Sequence, residues 1–172
     1  MLQLTRIIWD ICRLKAGPQE LPKSYYLMIA AILAGIIVDS FATSILIPTL
    51  SGLDIVKTIV IFNVLLLAAI YSLLKLLGYK ERGIQTLTAV AGAGLFISLV
   101  LLPGLLTVNA SDAESQSFAL FILIDNIWRI AVNAHIFKHA LSISLLMAMI
   151  LSVSYLLFGI VVADFLLPTQ TP

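Results

Sequence analysis

The chain has 172 residues, 61% of them hydrophobic and 11% charged, with a formal net charge of +1 and a mean hydropathy of +1.11. Soluble domains run nearer to about 45–50% apolar and about 25% charged, so a water-solvated surface is excluded and lipid is the solvent this composition suits. The near-neutral charge excludes nucleic acid as a partner, and a single cysteine, Cys12, excludes an internal disulfide or a cysteine-cluster metal site.

The first segment, "LQLTRIIWDICRLK", places Leu4, Ile7, Ile8, Ile11 and Leu14 on one helical face and Arg6, Asp10 and Arg13 on the other. With Trp9, that pattern predicts an amphipathic helix over residues 1–16 lying in the headgroup plane. Its charges and the lack of a small-residue cleavage site argue against a signal peptide. Residues 17–24, within "AGPQELPKS", then form an elbow. Proline cannot continue a helix and restricts the residue before it, and Ser24 is placed to cap the first span.

Residues 25–167 read as an all-α membrane domain of five spans: Tyr25–Leu46, Ile55–Leu77, Ile84–Leu106, Phe118–Phe137 and Leu141–Leu167. Each is long and apolar enough to cross, and backbone groups in hydrocarbon must pair internally, so each is predicted to be helical. The cations fall on one side: Arg6, Arg13, Lys15 and Lys23 before the first span, Lys75, Lys80 and Arg82 around "GYKERG", and Lys138 with His135 and His139 near "KHA". The opposite side has "TVNASDAESQS", with Asp112, Glu114 and no cation, and a short tail over 168–172, with only Lys57 near the first-to-second loop. This asymmetry predicts a cytoplasmic amino terminus and an external, periplasmic carboxyl terminus. Asn109-Ala110-Ser111 matches a glycosylation sequon on the outer side, but close to a span.

The fourth span is the most polar, which also fits a re-entrant segment; that would put Lys138 outside and break the charge pattern. Asp125, Arg129 and Asn133 recur every four residues on one face, with Asn126 beside them. Asp39 of the first span reaches a similar depth from the other side. Charges in a bilayer are costly unless paired, so an Asp39–Arg129 pair or an Asp39–Arg129–Asp125 cluster is expected. It serves either as a packing tie between the first and fourth spans or as a polar path.

Small residues mark helix contacts: Gly35 in the first span, Gly92 and Gly94 within "TAVAGAG", and Ser152 and Gly159 in the fifth. "GAG" lies inside a span and is no phosphate loop. Pro48 and Pro103 are expected to end or kink helices. His135 and His139 are four apart but lack a third ligand, so no metal and no cofactor are expected. No nucleophile elbow or metalloprotease helix appears, so no catalytic residues are assigned and the chain does not read as an enzyme.

"LLKLLGYKERGIQTL", with Gly78, Gln85, Thr86 and Leu87, and the Gly17-Pro18 dipeptide of "AGPQELP" resemble bacterial members of the Yip family of membrane proteins. The resemblance implies five spans, a cytoplasmic amino terminus and a short tail on the far side, with no catalytic residues to carry over. Eukaryotic members carry a long acidic cytoplasmic region and a fuller Tyr-Gly-Pro motif. Here about 24 residues, none of them tyrosine, precede the first span, which argues against a Rab-binding trafficking role. The expected function is a non-enzymatic inner-membrane protein that organises the bilayer, a membrane-protein partner or its own oligomer through helix packing and its amino-terminal segment. The alternative is a small transporter or channel component using the Asp/Arg path.

Overall fold

The computed structural model describes residues 2–107 and 116–166. Within them lie six helices: α1 (Leu2–Cys12), α2 (Tyr25–Leu46), α3 (Gly52–Leu76), α4 (Gly83–Thr107), α5 (Gln116–Leu141) and α6 (Leu145–Leu166). Short 3-10 turns over Pro18–Glu20 and Lys80–Arg82 precede α2 and α4. The five helices after α1 are each long and apolar enough to cross a membrane, and the chain is an all-α, multi-pass membrane protein. The sequon, the acidic outer loop and the tail fall outside the described residues.

The helix ends follow local chemistry. The Oγ atoms of Ser24, Ser51 and Ser144 accept the backbone N–H of Leu27, Asp54 and Met147, capping α2, α3 and α6. Helix α3 stops at Gly78, whose φ of 84° lets Tyr79 N–H reach back to Leu74 O at 2.7 Å. Helix α1 closes with the same bond pattern, Lys15 N–H to Asp10 O at 2.8 Å, but there a leucine, Leu14, holds φ at 61°. Pro103 sits inside α4, and Pro48 lies just beyond α2. Helix α5 is continuous to Leu141, so "KHA" is helical and the turn falls at Ser142–Ser144, a few residues later than the composition indicates.

Helices α2 to α6 form a ring. In spatial order α2 packs on α4, α4 on α5, α5 on α6, α6 on α3 and α3 back on α2. Two ends can be told apart. The elbow, the α3–α4 turn and the α5–α6 turn share one end, where Arg82 Nη1 donates to His139 O at 3.2 Å, Ala140 O at 3.0 Å and Ser142 Oγ at 2.8 Å. The α2–α3 loop lies at the far end. The buried cluster sits toward the elbow and includes Leu21, Ile70, Leu74, Ala89, Ile136, Phe137 and Ala148.

Helix α1 stands outside the ring, on α4 and α5. Its apolar face, expected among lipid headgroups, is buried on protein: Ile11 and Cys12 are 0% and 3% exposed. The small residues of "TAVAGAG" make this possible, because a Cβ on Gly92 would come within 3.1 Å of Ile8. Cys12 Sγ lies 4.0 Å from Ala93 O, and the Trp9 ring is 5.3 Å from Phe96. Residues Gly92 to Phe96 lie about 14–20 Å along α4 from its start at 1.5 Å per residue, near its middle. Ile8 and Cys12 are a full turn apart on α1 yet meet adjacent residues of α4. The short helix therefore runs across α4, not along it.

Candidate functional site

The ring helices surround a partly open cavity of about 510 Å³ with residues of all five spans in its wall. It extends from the level of Ala31 and Val90 to that of Leu46 and Leu105 at the far end. The α5 ladder, Asp125, Asn126, Arg129 and Asn133, faces this space, as does Asp39.

A hydrogen-bonded chain crosses the cavity wall. Arg129 Nε donates to Asp125 Oδ1 at 2.8 Å, one turn away on the same helix. Arg129 Nη2 donates to Ser98 Oγ at 3.1 Å, and Ser98 Oγ–H donates to Asp39 Oδ1 at 2.8 Å. The expected direct Asp39–Arg129 pair is thus replaced by a bridge. The physical reason is topological: α4 stands between α2 and α5 in the ring, and its Ser98 fills the gap. Asp125 and Arg129 keep 20% and 32% of their side-chain surface open, so the pair borders space and is not sealed in packing. Asn126 and Asn63 turn their amides onto their own helices, to Ile122 O at 2.8 Å and Ile59 O at 3.0 Å.

The small residues divide between two roles. Gly92 receives α1, Gly159 lies against Phe62, at 3.3 Å from a built Cβ, and Ser152 Oγ donates to Ile130 O at 2.9 Å across α5 and α6. Gly35 and Gly94 do not make close helix contacts. A Cβ at 35 would meet nothing within 4 Å, and one at 94 only Arg129 Nη1 at 4.0 Å. Both line the cavity, where a missing side chain widens the space.

Side chains of α4 and α5 converge on the elbow. Gln85 Nε2 donates to Gln19 O at 3.0 Å and Leu21 O at 2.6 Å. His135 Nε2 lies 3.0 Å from Ala16 O, and Trp128 Nε1 donates to Cys12 O at 3.1 Å. Gly17 N–H donates to Glu20 Oε1 at 3.0 Å, and Gly17 and Pro18 are buried. Thr86 bonds back to Arg82 O at 2.8 Å, and Leu87 packs on the core. Four backbone carbonyls, at the end of α1 and along the elbow, are thereby engaged by side chains, as hydrocarbon demands. Beside this junction lies a smaller polar hollow of about 340 Å³ that includes Arg82, Gln85 and His139.

Ser98 and Tyr155, both at the cavity, are not evident in the sequence. A depth count exposes the first: Ser98 lies as far into α4 as Asp39 lies into α2, within one residue. Tyr155 reads only as a break in a small-residue stripe. No protein-family model, curated protein or solved structure matches the chain.

Proposed function

We propose that the protein holds a small cationic or zwitterionic solute inside the bilayer, as a transporter or channel component. The observation that carries this reading is the cavity with Asp39, Asp125 and Arg129 in its wall. Two carboxyl groups share one guanidinium, so a ligand ammonium or other organic cation balances the set. Phe62, Phe121 and Tyr155 border the same space, and aromatic faces attract cations. A volume near 510 Å³ lies within the roughly 300–1,000 Å³ of small-molecule sites. A structural ion pair needs no such space around it.

The test uses the full chain in lipid vesicles, with tetramethylammonium and choline as probes. Uptake or binding is expected for the native chain and is lost in Asp39→Asn and Asp125→Asn, while both variants remain abundant and monodisperse. Unchanged uptake in both variants, or none by the native chain, removes the reading.

A second reading, an organiser of neighbouring membrane proteins, draws on a different observation: α1 presents a polar face away from the ring. The likeness to bacterial Yip-type proteins belongs with it, since Gly17, Pro18, Gln85 and Thr86 gather at the elbow that holds α1 in place. Lys23, Lys75, Lys80, Arg82 and Lys138 collect at that end, which supports an inner-membrane protein with a cytoplasmic elbow.

A further inference from the structure

The outward face of α1 poses an electrostatic problem. Gln3, Arg6, Asp10 and Arg13 form one stripe at spacings of three, four and three. Arg6 and Arg13 are exposed and Asp10 is partly so. Arg6 precedes Asp10 by four residues and Arg13 follows it by three, yet neither pairs with it. Among the described residues the ion pairs are Lys57–Asp54 and Arg129–Asp125. Arg13 instead lies over the Trp9 ring, 5.5 Å from its centre. Since α1 crosses α4 near its middle, this stripe lies near the level of the membrane's centre. An unpaired charge at that depth is costly in lipid.

We infer that this stripe is the seam of a homodimer. Two copies inserted the same way are related by a two-fold axis along the membrane normal. Because α1 runs across the ring helices, such an axis lays it beside its counterpart in antiparallel order at the same depth. The stripe is palindromic about position 8 under that operation: Arg6 meets Asp10 of the second copy, Asp10 meets Arg6, and Gln3 meets Arg13. Every polar group of the stripe gains a partner, and both ion pairs are removed from lipid. A partner of arbitrary sequence offers no such match. The seam is independent of the solute reading, since it lies outside the ring.

Cross-linking in native membranes tests the geometry. Chains carrying Gln3→Cys and Arg13→Cys, each with Cys12→Ala, are coexpressed and oxidised; a mixed disulfide dimer is expected, and its absence overturns the seam. Charge order is tested in parallel on purified protein in lipid nanodiscs, by mass. Arg6→Asp or Asp10→Arg alone sets like charges face to face and weakens the dimer roughly tenfold or more. The double variant Arg6→Asp/Asp10→Arg restores it, as does mixing the two single variants. Maleimide protection of Cys12 reports whether α1 stays docked. Singles as dimeric as the native chain, or a double variant that stays monomeric, overturn the proposal.

Discussion

The two ends of the ring are built from much the same apolar alphabet and behave oppositely. Toward the elbow, Ile136, Ala140 and Leu74 are each no more than 1% exposed, and the hydroxyls of Thr86 and Thr88 are folded back onto Arg82 O and Ile84 O. Toward the far end the helices stand around a cavity of about 510 Å³ bordered by two carboxylates and a guanidinium. Bulk hydrophobicity does not separate the ends. What separates them is how side chains reach across helices: at the elbow Gln85, Arg82, His135 and Trp128 bind backbone carbonyls of other segments. At the cavity Arg129, Ser98 and Asp39 link three helices side chain to side chain, while Asn63 and Asn126 bind only their own helices. Lipid supplies little drive for helices to associate, so cross-helix hydrogen bonds and close packing decide where a bundle closes.

The contrast breaks first under truncation. Ile136→Ala, at a site with 0% exposure, opens a void in the closed end. It is expected to lower stability by about 2 kcal/mol or more, toward the lower part of the soluble-protein range because lipid removes the water-transfer share. Gly35→Ala, at the cavity, meets nothing within 4 Å and is expected to be neutral or slightly stabilising through helix propensity. Unfolding of both variants in mixed micelles, followed by circular dichroism, gives the two differences. Equal losses would show that the far end is packed as tightly as the elbow.

A finer comparison sets one amide against another. Gln85→Leu strips Gln19 O and Leu21 O of their donor and is expected to cost about 1–3 kcal/mol, the range for orphaned polar groups. Asn126→Leu frees only Ile122 O, which the helix already engages, and is expected to cost less than half as much. The same unfolding measurement ranks them. A larger loss for Asn126→Leu would assign the cross-helix role to the cavity end.

Most of the fold is legible in the sequence because lipid leaves a chain few options: five apolar runs of span length, with a serine, Ser24, placed to cap the first. The ladder Asp125, Asn126, Arg129 and Asn133 is legible from helical period alone, and it does share one wall of the cavity. Ring order is not, since five spans of similar composition carry no label for their neighbours. For that reason Asp39 and Arg129 read as a direct pair, although α4 intervenes with Ser98. Gly35 and Gly94 read as packing positions because a small residue looks the same beside a helix or beside a void. The destination of α1 is hidden for a related reason: an amphipathic face suits headgroups and a groove of small residues equally well.

The smallest expected effect concerns how firmly α1 is seated on α4 and α5. Burial between α1 and Ala93 pushes the Cys12 thiol from its ordinary 9.0 up to about 12. The seated state therefore holds its proton more tightly than the released state does. Seating is unaffected by this group below pH 9, and weakens as pH rises from there toward 12, because the released thiol ionises first. Both tryptophans report the event, since Trp9 rests on Phe96 and Trp128 donates to Cys12 O. In a denaturant titration followed by tryptophan fluorescence, the release midpoint is expected to hold steady from pH 7 to 9 and fall modestly by pH 10. Cys12→Ala, which leaves the carbonyl in place, is expected to lessen that fall. A Cys12→Ala chain with the same pH dependence as the native one would mean that other groups, not the seated thiol, set the alkaline limit of α1 seating.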